Sequence, residues 1–93
     1  MPVSRTDRRR ERESRVGTVF AADHVASALD LLELLELAWH DCYGDITPPE
    51  DIIDDVLLLS EGSMDKLVAA ARLAVADWRD LKVASADLRD YGP

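Results

Sequence analysis

VASALDLLELLELAWHDCY, from Val25 to Tyr43, is the stretch whose reading decides the fold. At about 3.6 residues per turn, Val25, Ala28, Leu31, Leu32, Leu35, Trp39 and Cys42 share one broad helical face that can be buried. Asp30, Glu33, Glu36 and His40 fall on the opposite face, yet Leu29, Leu34 and Leu37 lie among or beside them. One-sided packing does not need these extra leucines. Either neighbours cover the helix on two sides, or some of the leucines meet another chain. The same acids cut the apolar run too short for a membrane span.

Working outward, Gly44 supplies a left-handed stop after Tyr43. Thr47-Pro48-Pro49-Glu50 reads as a capping box, with Thr47 as N-cap, Pro48 in the first turn and Ile46 stapled onto the helix. A short second helix is predicted from Pro48 to about Ser60. Ile52, Ile53, Val56, Leu59 and Ser60 form its inner arc; Glu50, Asp51, Asp54, Asp55 and Glu61 form the outer one, bordered by Leu57 and Leu58. Gly62 stops this helix and Ser63 caps the next, a long third helix from Met64 to around Leu88. The alanines from Ala69 to Ala76 let a neighbouring helix approach closely, and Trp39 and Trp78 are expected to anchor the two long helices on each other. Residues from Arg89 onward are expected to fray. The predicted fold is all-α: a small antiparallel three-helix bundle, two helices long and one short, with a flexible N-terminal arm.

Toward the other end, Thr18 or Asp23 caps the central helix, and residues 1–17 read as a disordered arm ahead of a single helical domain over 18–93. Residues 1–20 hold six arginines against Asp7, Glu11 and Glu13, a balance of +3; the whole chain is −8, so the remainder sums to −11. The arm could touch RNA, DNA or the protein's own acidic body. A solvated arm is the favoured reading, because its acids dilute the arginines. The body repels phosphates, so nucleic acid is not the expected partner; a basic protein surface is.

The chain has 93 residues, 47% hydrophobic but only 5% aromatic, so leucine, valine and alanine must build the core. So small a core is marginal, and homodimerisation is one remedy. A lone Cys42 and the lack of a signal-peptide pattern point to a cytoplasmic protein. The absence of Asn and Gln, with arginine over lysine, suggests a GC-rich bacterial genome.

Three groups could carry chemistry. Glu33, Glu36 and His40 share one helical face and could bind a metal if a facing helix completed the shell, but the spacing from Glu36 to His40 is one residue longer than Glu-x-x-His and only one such helix exists. A solvated Glu36–His40 pair is the favoured account. Asp51, Asp54 and Asp55 read as helix rather than as a calcium loop. Cys42 and His40 stand on different faces, so no nucleophile–base pair forms, and Cys42 reads as a core residue.

Gly62-Ser63-Met64-Asp65-Lys66-Leu67 resembles, over about half a dozen residues, the modified segment of an acyl carrier protein. The resemblance implies a phosphopantetheine arm on Ser63 and an acidic helix that meets basic enzymes. Gly62 stands where that family usually has an aspartate, and the long loop after its first helix is missing. Ser63 as an ordinary cap is the favoured reading. The expected function is therefore a non-catalytic, cofactor-free interaction or regulatory protein. Asp51, Asp54, Asp55, Leu58, Leu34 and Leu37 are its candidate partner-binding residues; carrier and metal-binding roles are the alternatives.

Overall fold

The computed structural model describes residues 5–91, and all regular structure among them is helical. Five α-helices follow in order: α1 Arg5–Val19, α2 Val25–Tyr43, α3 Glu50–Ser60, α4 Met64–Ala76 and α5 Trp78–Tyr91. A single 3-10 turn, Ala22–His24, leads into α2. The all-α reading holds; the three-helix count does not, for two physical reasons.

The first lies in the arm. Residues 5–17, predicted to be disordered, are helical, and α1 packs against α2. Val16 and Phe20 enter the core, and ion pairs described below hold the polar remainder. Residues 1–4 lie outside the described residues. The second reason is Asp77, which divides the predicted third helix. Its backbone is extended (φ −159°, ψ 89°), and its Oδ1 accepts the amides of Arg79 at 3.1 Å and Asp80 at 3.3 Å. Aspartate competes with the helix ladder through such bonds, so it ends α4 and opens α5. The break lets α5 pack on both α3 and α4, with Leu81 fully buried. Arg89, expected to fray, reaches Asp55 instead.

Smaller corrections concern α3. It begins at Glu50, not Pro48, because a residue before proline is driven out of the α region, and Pro49 itself is extended at ψ 148°. No side chain caps it. Ile46 is not a staple, being 70% exposed. At its far end Glu61 (φ 50°) and Gly62 (φ 78°) are both left-handed, so Glu61 shares the stop assigned to Gly62. A Cβ on Gly62 would lie 2.7 Å from the Val19 carbonyl oxygen, so the end of α1 closes directly onto this turn.

The core runs through Val16, Phe20, Leu29, Leu32, Leu35, Trp39, Ile52, Ile53, Val56, Leu67 and Leu81. Ala70, Ala71 and Ala74 are buried where α4 meets its neighbours, the close approach expected of small residues. Cys42, assigned to the core, is exposed. Trp39 is buried, but Trp78 is only partly covered and does not anchor a core.

Candidate partner-binding surface

Arg8, Arg12 and Arg15 recur at helical spacing on α1, so one face of that helix presents a row of guanidiniums. The row meets the acids of α2 and α3. Arg8 and Arg12 pair with Glu36, which is buried; Arg12 also donates to Thr47 Oγ1 at 3.0 Å and to Glu50 at 3.4 Å. Arg15 pairs with Glu50 at 3.2 Å and Asp54 at 2.6 Å. Beside the row, Arg9 holds Asp30 at 2.8 Å and Glu33 at 3.1 Å, and the hydrogen bonds it donates to these carboxylates raise its pKa. Thr47 and Glu50 do not form the predicted capping box because both face α1 instead. Arg8, Arg9, Arg12 and Arg15 thus touch the protein's own acidic body.

The metal candidates are therefore already engaged. Glu36 lies under Arg8 and Arg12, Glu33 under Arg9, and His40 is exposed with Nδ1 3.3 Å from the Asp45 carbonyl oxygen rather than paired with Glu36. Among the described residues no three His, Cys, Asp or Glu side chains gather into a possible metal cluster. Ser63 accepts the Lys66 amide at 3.4 Å, which is the geometry of an N-cap.

The acidic stripe of α3 divides in the same way. Asp55, predicted on the outer arc, is buried: Oδ1 accepts from Ser85 Oγ at 2.9 Å and pairs with Arg89 at 3.0 Å, and Oδ2 pairs with Lys82 at 3.0 Å. Asp51 pairs with Lys82 at 2.6 Å; this bond holds its carboxyl below the usual carboxylate range and raises the Lys82 ammonium, with Asp55 adding to the latter. Asp51, Asp54 and Asp55 each have a cation within the chain. Leu58 is half-buried.

The surplus leucines divide as well. α2 is covered on two sides, by α1 and α4, and Leu29 is buried. Leu34 and Leu37 remain 60% and 46% exposed on the strip between. Next to that strip runs a groove of about 370 Å³, walled by Leu31, Leu34, Leu35 and Ala38 of α2 and by Val68, Ala71, Arg72 and Val75 of α4. Val68 is itself 40% exposed. Arg72 stands in the wall without an ion-pair partner, although seven other lysines and arginines of the described residues have one. The α4 side of this groove was not found in the sequence. The available signal was Val68, Arg72 and Val75 at helical spacing around the small Ala71, which leaves a depression beside larger side chains.

Among the described residues, no helix is long and apolar enough to cross a membrane. No protein family, curated protein or solved structure matches the chain.

Proposed function

We propose that this is a non-catalytic helical protein that acts in the cytoplasm through protein–protein contact, as an interaction or regulatory partner. The observation that carries the reading is the exposed pair Leu34 and Leu37, with the apolar groove of α2 and α4 beside it. Contiguous apolar surface of this kind marks a contact site, and a groove between two helices suits the apolar face of a third. The occupant is a helix of another protein or of a second copy, with an acid placed to meet Arg72.

The net charge of −8 supports a basic surface elsewhere on that partner. Asp41, Asp65, Asp80 and Asp87 are exposed and enter no ion pair among the described residues, so they add to a field that speeds encounter. Contact energy then comes from the leucines, in keeping with the general rule that charge sets the rate and buried apolar anchors set the affinity.

The test compares two baits in affinity capture, with light scattering on each: Leu34→Glu/Leu37→Glu and Asp51→Lys/Asp54→Lys. The leucine variant is expected to lose the partner, or the dimer, that wild type shows, and the α3 variant to keep it. If the leucine variant retains the same partner and the same mass as wild type, the strip is not the contact surface.

A further inference from the structure

A second cavity lies on another part of the molecule, where the C-terminal end of α2 meets the starts of α3 and α5. Its volume is about 400 Å³, within the range of about 300–1,000 Å³ typical of small-molecule sites. Trp39, Tyr43 and Trp78 line it together with Asp45, Asp51 and Lys82. Both tryptophans of the chain are in this one wall, in a protein that is only 5% aromatic. Packing alone does not require this, because Tyr43 and Trp78 are 40% and 36% exposed and leave much of their ring surface open.

The charges of the wall are not balanced. Lys82 is held by Asp51 at 2.6 Å and Asp55 at 3.0 Å, so its charge is answered. Among the described residues Asp45 has no cation; its Oδ2 accepts the Trp39 indole N–H at 3.4 Å. Trp39 and Tyr43 stand with ring centroids 4.4 Å apart at an interplanar angle of 45°, so the two rings meet at an angle rather than stacking flat. The Arg79 guanidinium, which is not part of the cavity wall, lies 5.4 Å from the centroid of the Trp78 ring, within the distance at which a ring and a cation attract.

We propose that this cavity binds an alkylated ammonium group, with Trp39, Tyr43 and Trp78 as aromatic walls and Asp45 as the counter-charge. Ring faces attract cations through their quadrupole, and the attraction is strongest where water is excluded. A quaternary ammonium suits such walls better than a bare lysine head, since it carries no N–H whose hydrogen bonds would be lost on entering. The site does not depend on the α2–α4 groove, so either reading can fail without the other.

The experiment is a titration of the full chain with choline, followed by tryptophan fluorescence, because both tryptophans lie in the cavity wall. The uncharged carbon isostere of choline serves as control. A saturable change with choline and none with the isostere is expected. Trp78→Leu, at a partly exposed position, should weaken binding roughly tenfold, and Asp45→Asn should weaken it while helix content by circular dichroism is unchanged. A peptide bearing trimethyllysine forms the second arm: tighter binding than choline assigns the cation to a partner's side chain, and equal binding assigns it to a free amine. No saturable response to either cation, or an equal response to the isostere, would overturn the proposal.

Discussion

Replacing Asp55 by alanine should cost about 2–3 kcal/mol of folding stability. Its carboxylate is buried and receives three charge-assisted or hydroxyl bonds, from Lys82, Ser85 and Arg89, which tie α5 to α3. Bonds of this type contribute about 1.5–3 kcal/mol each when a charged group is involved. The sum must be discounted, because the Lys82 and Arg89 side chains are 37% and 53% exposed and can return to water. Lys82 also keeps Asp51, and Ser85 Oγ keeps the Lys82 carbonyl at 3.2 Å. What is lost is one buried acceptor and the cross-link of a helix whose buried side chains, among the described residues, are Leu81 and Ser85. For a domain of this size the loss lowers the melting temperature by roughly 10–20 °C. Urea denaturation followed by circular dichroism measures it, and Asp55→Asn, which still accepts from Ser85, should lose about half as much. An Asp55→Ala protein within about 0.5 kcal/mol of wild type would show that desolvation of the carboxylate cancels its bonds, and the reasoning would fail.

Glu36→Ala leaves Arg12, only 3% exposed, facing a vacated site, and should cost about 2–3 kcal/mol. Hydrogen exchange should quicken in α1 by more than in α4; equal changes in both would mean that α1 is not held separately. Gly62→Ala should destabilise by about 3 kcal/mol or more, since it adds a clash with Val19 to a left-handed backbone, while Gly44→Ala, left-handed but in open space, should cost about 1 kcal/mol. Equal midpoints for the two would remove the close approach of α1. The Asp51–Lys82 pair has a signed pH dependence. Asp51 is depressed in the folded state, so its contribution is full above the ordinary carboxylate value of 3.8 and disappears as pH falls through the lower folded value. Lys82 is raised, so its contribution is full below 10.5 and is lost as pH rises through the higher folded value. The stability difference between wild type and Asp51→Asn should thus be flat near neutrality and shrink at both extremes; a difference that grows with acid would contradict the pairing.

Sequence periodicity is enough for α2 as a helix, for Ile52, Ile53, Val56 and Ser60 on the inner arc of α3 and for the glycine at Gly44, because these depend on local spacing and backbone freedom. The surplus leucines also announced themselves: a helix with apolar residues on every side needs more than one neighbour, and α2 has two. The same argument leaves Leu34 and Leu37 free for another chain, and in the structure both side chains are exposed. The carboxylates were less legible. Glu33, Glu36, Asp54 and Asp55 look alike in a helical projection, whether they face water, a metal, a partner or an arginine far off in the sequence.

By itself the sequence determined that the chain is helical, acidic and provided with more leucine than one-sided packing consumes, since composition and the helical repeat are properties of the chain alone. Tertiary structure decided that the arginine-rich start is a helix rather than a loose arm, that Asp77 divides the last predicted helix, and which acids remain free. It also brought Trp39, Tyr43 and Trp78 around one cavity. The physical reason is common to all of these: a charge or a ring has no preferred partner until folding sets what lies within a few ångströms of it, and long-range pairs such as Arg12–Glu36 leave no periodic trace along the chain.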